Sequence, residues 1–507
     1  MNEEKEFNSS LRLIAKSSVL VFIGLFLSKI FSYVYRLIIA RNYGPESYGL
    51  FSLASVIVGW IGVIAIFGLN DGLLRYIGIY RGKKEQDKVN YLFRKSFYLL
   101  LITGLIGGIL LFASSDYISN NIFHEPNLAI FLNIFSIVLP LSVILVAFQA
   151  PLRAYEKVNW YVFIFTILTN SLQVGFIILF VVLGLGLVAI PLSYLAGLIV
   201  VFLTAIIVTK RKIPQIFSKP KYDDKSSLFK EVLSYSWPLI FAEIIWKIFK
   251  WTDSFLIGIF QNAAEVGFYN AAIPIAFLLT FSSDLFMQMF VPLINKEYSK
   301  NNMEVVKQLS QQVGKWLFFT NLPILILIFL FPEMFLHILF GKEFIVAAGA
   351  LQLLTIGVIF LSFSGVSTRL IAMAGKSKKM LSNILLMALV NVVLNIILIP
   401  KYGINGAAVS TSFSFIVLSV LVIIQAYKET KIIPIRRKNL NILAAAIISL
   451  GLILIVKDYI VLTIPSFIIT SILFGAVYTL LVFVFKGFDR NDLMIFKTFI
   501  NKLKGKN

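Results

Sequence analysis

The sequence predicts an all-α polytopic membrane protein with about fourteen transmembrane helices. Two features of composition favour this class: 59% of the 507 residues are hydrophobic against 14% charged, and the mean hydropathy is +0.89. A third is the recurrence of apolar runs of about 20 residues, the length that crosses a bilayer as a helix. This composition lies outside the range of soluble globular domains.

The apolar runs follow one another with short polar connections. They cover residues 17–40, 47–70, 96–113, 128–149, 160–182, 186–208, 236–260, 266–292, 316–332, 346–370, 381–400, 405–426, 440–456 and 464–485. The first run is long, contains Lys29 and follows a segment of mixed charge. We therefore expect it to be a retained helix rather than a cleavable signal peptide.

The basic residues fall on one side of the predicted membrane. With the N-terminus inside, 37 of the 46 Lys and Arg lie in inner segments, and four lie in outer loops. This is the positive-inside pattern, and it predicts that both termini are cytoplasmic in a multi-pass protein of the cell membrane. The net charge of +21 then indicates membrane anchoring, so we expect no nucleic-acid partner.

The absence of cysteine excludes disulfides, a thiol nucleophile and a thiolate metal site. Only two histidines occur, and both fall in predicted outer loops. We therefore expect no metal, no cofactor and no catalytic residues.

An internal repeat predicts two similar halves. With an offset of 218 residues, Lys29–Ala54 aligns without gaps with Lys247–Ala272. The identical positions are the pairs Lys29/Lys247, Ile30/Ile248, Phe31/Phe249, Ile39/Ile257, Gly49/Gly267 and Ala54/Ala272. The offset corresponds to six predicted helices, an even number, so the two copies share one orientation in the membrane.

The repeat and the charge pattern together predict the domain organisation. We expect two pseudo-symmetric six-helix lobes at 1–208 and 236–426, joined by a cytoplasmic linker at 209–235. The remaining part, 427–507, would hold two further helices and a basic tail.

A stripe of charge interrupts the predicted seventh span. Glu243, Lys247 and Lys250 follow the i, i+4, i+7 spacing of one helix face, with Asp253 at its edge. Each charge at the centre of a bilayer costs roughly 2.5–3.5 kcal/mol on insertion scales. Such groups face a bundle interior or a wet cavity, so the stripe predicts a polar translocation path.

Several motifs give the chain a resemblance to a known family. The motifs are NYGPESYGLFSLA (Asn42–Ala54), FGLNDGLLRYIG (Phe67–Gly78), SWPLIFAEI (Ser236–Ile244) and YGINGAAVSTSFS (Tyr402–Ser414). Through these motifs, and to about residue 430, the chain resembles the polysaccharide-transporter branch of the multidrug/oligosaccharidyl-lipid/polysaccharide exporter superfamily. The acids beside the lysines of the seventh span depart from a purely cationic cavity.

The resemblance implies a flippase rather than an enzyme. Members of that branch move lipid-linked oligosaccharides, or related polyprenyl-diphosphate sugars, from the cytoplasmic to the outer leaflet for surface polysaccharide or glycan assembly. Relatives rock two lobes around a central cationic cavity. The expected partners are a lipid-linked oligosaccharide of O-antigen type, membrane lipids and a coupling ion, either a proton or sodium.

Five basic residues within spans are candidates for binding the diphosphate. Arginine binds phosphate oxygens bidentately and lysine acts as a point charge. The five are Lys29, Arg36, Lys247, Lys250 and Arg369. Arg36 and Arg369 lie near span ends, where anchoring at the membrane boundary is the alternative.

The acidic residues have two interpretations. Glu243 and Asp253 are either coupling-ion sites or counter-ions that neutralise the neighbouring lysines at i,i+4 and i,i+3. Asp71 and Arg75, four residues apart at the inner end of the second span, form a structural pair or a gate.

Two other functions compete with the flippase. A membrane glycosyltransferase or polymerase normally places catalytic carboxylates in sizeable outer loops, and the predicted outer loops are short. A multidrug/cation antiporter of the same superfamily is the closer alternative, and it predicts a more acidic cavity with fewer embedded cations.

Overall fold

The computed structural model is helical throughout the residues it describes, with no β-strand among them. It describes residues 2–222, 227–457, 463–489 and 492, and all side chains within them except those of 2–23, 25, 242, 246 and 456. The helices are α1 Asn2–Ile66, α2 Leu69–Gly82, α3 Gln86–Tyr117, α4 Leu128–Ala154, α5 Val158–Val162, α6 Thr169–Val182, α7 Ala189–Lys212, α8 Leu228–Phe260, α9 Ala263–Ala276, α10 Leu278–Ser299, α11 Met303–Leu330, α12 Pro332–Leu339, α13 Ala348–Met373, α14 Ser377–Thr430, α15 Arg437–Lys457 and α16 Ile464–Val484.

Many of these helices can cross a membrane. Eleven in the described part of the chain are long and apolar enough, or twelve if the two parts of α8 on either side of a bend count as one span. Helices suit this environment because they satisfy every backbone N–H and C=O group internally where no water is present.

Two long helices each contain a break at glycine. Gly44 in α1 has φ 77°, and Gly403 in α14 has φ 55°, so neither residue continues the helix. Both values lie in the left-handed region that glycine enters without steric cost. Each of these helices therefore covers two of the predicted spans.

Each of the fourteen predicted ranges is mostly helical, but the limits differ and the count of fourteen spans stays a prediction. The second range runs past Ile66 into the first residues of α2, after Phe67 and Gly68 interrupt the helix with positive φ. The seventh begins at Leu228, inside the segment predicted as a linker. Polar residues continue these helices because a helix can extend beyond the bilayer into water.

The chain divides into two compact units, Met1–Gly267 and Phe268–Asn507. The first contains α1 to α8 and the start of α9. The unit boundary falls after α8, whereas the predicted lobe boundary falls before it. The two six-helix lobes therefore stay a prediction.

Within the first unit, the part of α1 after Gly44 packs closely on the segment that follows α8. A Cβ atom on Gly49 would lie 1.6 Å from the carbonyl oxygen of Ala263, and one on Gly267 would lie 2.0 Å from that of Pro45. Only glycine permits this approach of two backbones. Gly49 and Gly267 are the equivalent residues of the internal repeat, and they lie against each other.

In the second unit, a charged cluster joins α11 to the residues that flank α15 and α16. We call it the Lys315 cluster. Lys315 Nζ donates to Asp489 Oδ2 at 2.9 Å and to Asp492. Asp489 also accepts from Lys438 and pairs with Arg436 at 3.5 Å.

The last two helices also pack on α11 through apolar side chains. Leu322, Ile326 and Phe331 form one buried cluster with Ala445 of α15 and Tyr478 of α16. The Tyr478 hydroxyl donates to the carbonyl oxygen of Phe319 at 3.1 Å. Charge and apolar packing thus hold α15 and α16 against the same helix.

Candidate functional site

Lys247 lies within α8 and connects that helix to α1. Its side chain is partly buried, and Nζ donates to the carbonyl oxygen of Gly59 at 3.2 Å. The same ammonium lies 5.1 Å from the centroid of the Trp251 ring, within the range of a cation–π interaction. The charge is thus held by a carbonyl dipole and a ring face.

A close approach of α1 and α8 makes this contact possible. A Cβ atom on Gly59 would lie 1.9 Å from a carbon of the Trp251 ring. One residue along, the rings of Trp60 and Phe255 are 4.6 Å apart. Since any larger residue at position 59 would overlap the indole, glycine places the carbonyl within reach of Lys247.

Two further cations lie near this contact. Lys250 is exposed, and its Nζ is 5.9 Å from the Trp251 centroid. Arg36 of α1 is partly buried beside the buried Tyr48, and it is close enough to Lys250 for their charges to interact. Lys250 and Lys247 also act on each other. We call Arg36, Lys247 and Lys250 the cation group.

The acids of α8 do not neutralise this group through ion pairs. Glu243 is near enough to Lys247 to influence it, but no ion pair joins them, and Lys250 forms none with Asp253. Asp253 is only 6% exposed. Among the residues described, the neutralisation expected from i,i+4 and i,i+3 spacing is therefore absent as direct pairing. Spacing brings helical side chains near each other without requiring contact.

The N-terminal half of α2 lies against the start of α8. The Arg75 guanidinium is 4.4 Å from the Tyr235 ring centroid, and the Tyr76 hydroxyl donates to Glu231 at 3.1 Å. No ion pair links Arg75 to Asp71 within the described structure. Arg75 instead lies over an aromatic ring of α8. The structural pair or gate formed by Asp71 and Arg75 stays a prediction.

The remaining predicted candidates are not part of this group. Lys29 is exposed on α1 with no hydrogen bond or ion pair to any described residue. Arg369 belongs to the second unit and is likewise exposed on α13 without such a partner among the described residues.

Sequence reasoning missed the partner of Lys247. A backbone carbonyl carries no signal in the residue types, because every residue has one. Gly59 stands in an apolar run, and nothing local separates it from the other glycines of α1. Trp251 carries such a signal, because it aligns with the aromatic Tyr33 in the internal repeat.

Comparison with protein-family models gives two matches. The model described as polysaccharide biosynthesis protein covers residues 14–297, which is more than half of the chain. The model described as MatE covers residues 238–397.

Two relatives and one solved structure are similar along most of the chain. A probable low-salt glycan biosynthesis flippase of Haloferax volcanii is 26% identical, over 80% of this chain and 82% of its own length. A putative O-antigen transporter of Shigella flexneri is 25% identical, over 76% and 90%. The lipid II flippase MurJ in an inward closed conformation has a TM-score of 0.72 at 18% identity, over 94% and 100%. The chain is therefore a multi-pass membrane protein that belongs to the polysaccharide biosynthesis protein family, within the multidrug/oligosaccharidyl-lipid/polysaccharide exporter superfamily.

Proposed function

We propose that this protein flips a lipid-linked oligosaccharide from the cytoplasmic to the outer leaflet by alternating access. The observation that carries the proposal is the cation group on α1 and α8, whose lysines form no ion pair with a described carboxylate. The names of the two relatives, a glycan biosynthesis flippase and an O-antigen transporter, support the same substrate class.

A diphosphate suits the cation group chemically. Arg36 offers a planar fork of N–H donors, and Lys247 and Lys250 offer compact charges. Cations inside a membrane are costly unless water or an anion stabilises them. A diphosphate that enters the group supplies that anion, while the prenyl chain stays in lipid and Lys29 and Arg369 serve as further cations on the path.

Binding of the diphosphate would change the partner of Lys247. In the present structure the ammonium is bonded to the Gly59 carbonyl, a neutral acceptor. A phosphate oxygen is a stronger acceptor because it is charged. Exchange of the carbonyl for the phosphate weakens one link between α8 and α1, and this couples substrate binding to movement of α8.

We assign the inner gate to the contact between α2 and α8. Arg75 on Tyr235 and Tyr76 on Glu231 join the cytoplasmic ends of these helices. Asp71 is close enough to Glu243 for their charges to interact. Glu243 and Asp253 would act as counter-ions to the lysines, or as the site of a coupling proton or sodium ion.

The proposed topology has fourteen crossings with both termini inside. Lobes at 1–208 and 236–426 are joined by 209–235 and followed by 427–507. Single cysteines are informative because the chain has none. Lys83, Lys219 and Lys438 replaced by cysteine should resist an impermeant thiol reagent added to intact cells, whereas replacements of His124 and Lys457 should react. Labelling at position 219 from outside contradicts the topology.

The decisive experiment for the flippase function changes Lys247. Lys247→Gln should reduce delivery of lipid-linked sugar to the outer leaflet at least tenfold at normal protein abundance, because removal of one charge-assisted contact costs about 1.5–3 kcal/mol. Lys247→Arg should retain more activity, since it keeps the charge. Lys428→Gln, at an exposed lysine on α14, is the matched control and should have no effect.

A double variant separates substrate binding from charge balance. If Lys247 only offsets Glu243, then Lys247→Gln with Glu243→Gln should restore flipping, because no lone charge remains in the helix. Full restoration in a flippase-deficient host, or in proteoliposomes with a defined lipid-linked sugar, would reject the diphosphate site.

The MatE match supports a second candidate, a multidrug/cation antiporter. In that case Glu243 and Asp253 would bind the cation, and the lysines would be dispensable. Transport of a cationic dye that survives Lys247→Gln but is lost in Glu243→Gln would favour the antiporter.

A further inference from the structure

An acidic residue lies exposed within a membrane-spanning helix of the second unit. Asp284 is on α10, the least apolar of the eleven candidate spans. Gln288, also exposed, lies one turn further along. Neither side chain has a hydrogen bond or an ion pair with any residue that the structure describes.

The packing of α10 accounts for its other faces. Ser283, Met287 and Phe290 form the buried face. Met289 is 76% exposed and lies about 140° around the helix from Asp284 at 100° per residue. By the same spacing Gln288 lies within about 40° of Asp284. Asp284 and Gln288 therefore share a polar face that is separate from the buried face, and the exposed Phe281 and Leu285 lie between it and Met289.

The polar face requires a wet or polar environment. An aspartate exposed to lipid near the centre of a helix costs roughly 2.5–3.5 kcal/mol, whereas one in a water-filled path costs much less. Ionisable residues within membrane spans therefore mark substrate or ion pathways as a default hypothesis.

The chemistry of this face fits sugar hydroxyls better than phosphate or a bound cation. A carboxylate accepts hydrogen bonds, an amide both accepts and donates, and hydroxyls complement both. The carboxylate repels phosphate. Two ligands are a small part of the six to eight oxygens that a calcium ion takes, and no cluster of three metal-ligating side chains occurs in the described residues.

The exposed ring of Phe281 extends the same face. It lies three residues before Asp284 and is 41% exposed. The residues Phe281, Asp284 and Gln288 thus follow the i, i+3, i+7 spacing of one helix face. An apolar surface beside a few polar groups is the usual composition of a small-molecule site, and a sugar ring presents both C–H and O–H groups.

We propose that Asp284 and Gln288 form a sugar-recognition site that binds the glycan part of the transported lipid. This proposal rests on the proposed flippase function and extends it from the diphosphate to the sugars. A site built to bond a hydroxyl discriminates strongly against a ligand that lacks it, because the polar group is then left unpaired. The α10 site would thus contribute selectivity for the glycan, separately from the cation group.

Equilibrium binding to the purified full-length protein in lipid nanodiscs tests this proposal. The probes are polyprenyl diphosphate without sugar, with one sugar and with a pentasaccharide. We expect the wild type to bind the pentasaccharide probe at least tenfold more tightly than the sugar-free probe. Asp284→Ala should lower the ratio of these two affinities about tenfold, and Gln288→Ala should lower it about threefold. The aspartate has the larger effect because hydrogen bonds to charged groups are the stronger ones.

Two further variants control for packing and for an ion site. Met289→Ala, on the other exposed side of α10, should leave every affinity unchanged. Asp284→Asn retains an acceptor for hydroxyls and should keep most of the glycan-dependent gain. An ion site would lose its function in Asp284→Asn and would make the affinities depend on sodium concentration or pH.

Several outcomes would overturn the proposal. These are no glycan-dependent gain in the wild type, equal losses for all three probes in Asp284→Ala, or loss of the gain in Asp284→Asn together with sodium or pH dependence. The proposed function fails by a different result. If Lys247→Gln leaves sugar-free binding unchanged while the glycan-dependent gain persists, the diphosphate site is wrong and the sugar site stands.

Discussion

Lys247 and Lys315 are both lysines of membrane-spanning helices, but they have opposite surroundings. Lys315 is 1% exposed, and its ammonium contacts two carboxylates, those of Asp489 and Asp492. Lys247 is only partly buried, and its ammonium contacts one neutral carbonyl and one aromatic ring. One lysine is fully neutralised by its own chain, and the other is not.

The difference indicates which lysine can bind a ligand. The charge of a lysine in a buried ion pair is already neutralised, so it attracts no further anion. Removal of one partner leaves the other charge without compensation. A lysine whose ammonium contacts a dipole and a ring, but no carboxylate of the described residues, remains attractive to an anion. A lysine in a long apolar helix is therefore weak evidence of function by itself, whereas incomplete neutralisation of its charge is stronger evidence.

The largest expected effect is on stability and comes from Lys315. Lys315→Met should lower the free energy of unfolding by about 3 kcal/mol, because Asp492 loses its cationic partner inside the protein. Lys247→Met should change it by less than about 1 kcal/mol, since it leaves no ion pair broken. Thermal unfolding of the purified proteins in detergent compares the two variants directly.

A double change sharpens this result. Lys315→Met combined with Asp492→Asn removes both charges and should recover about half of the lost stability. If Lys247→Met proves as destabilising as Lys315→Met, the distinction between the two lysines is wrong.

A smaller effect is expected at Gly59. Gly59→Val places methyl groups inside the Trp251 ring, and such overpacking costs typically about 1–3 kcal/mol. It should also separate Lys247 from its carbonyl and reduce flipping. Trp251→Ala combined with Gly59→Val should relieve the overlap. Gly62→Val is the control that should be tolerated, because the nearest atom to a Cβ at position 62 is 3.6 Å away. Normal flipping by Gly59→Val would show that the α1–α8 contact has no part in transport.

The contact of Arg75 with Tyr235 should have a still smaller effect. An exposed cation–π pair contributes about 0.5–1 kcal/mol, so Arg75→Gln should raise the population of an open inner end two- to fivefold. A single cysteine at Ile240, whose side chain lies beside Gly68, reports this population by its rate of labelling. Arg75→Lys should give an intermediate rate, and an unchanged rate in Arg75→Gln would exclude a gating role.

The smallest effect concerns pH and the Lys315 cluster. Burial alone would raise the pKa of Asp489, but hydrogen bonds from Lys438 and Lys315 outweigh it and hold the pKa below its ordinary value of 3.8. The stabilisation is therefore complete above that value and is lost as the pH falls through the lower pKa of the folded state. Thermal stability between pH 5 and 8 should be the same in wild type and in Asp489→Asn apart from a constant offset. A difference that varies with pH within this window would contradict the assignment.

The sequence predicted where helices form better than how charges pair. Membrane spans follow from length and apolarity, which are local properties, and the positive-inside count orients them. Glu243 was a reasonable partner for Lys247 because it lies four residues away. The actual carboxylates around Lys315 lie 174 and 177 residues away along the chain, where no local rule applies.

The sequence likewise predicted only some of the residues of the candidate site. The one-face spacing on α8 brought Lys247 and Lys250 together, and the structure adds Arg36 from α1. Asp284 was not singled out, because a single acid in an apolar run has no periodic signal. Only the packing of the neighbouring helices shows which face of α10 is buried and which face is left exposed.

The contact between Gly49 and Gly267 has a consequence for the proposed transport cycle. The nearest atoms to a Cβ on either glycine belong to the backbone, so no side chain of these two residues lies between the two segments. In lipid such a contact is held by van der Waals forces rather than by exclusion of water. We therefore expect the two segments to separate at these repeat-equivalent glycines without a change of rotamer at either position.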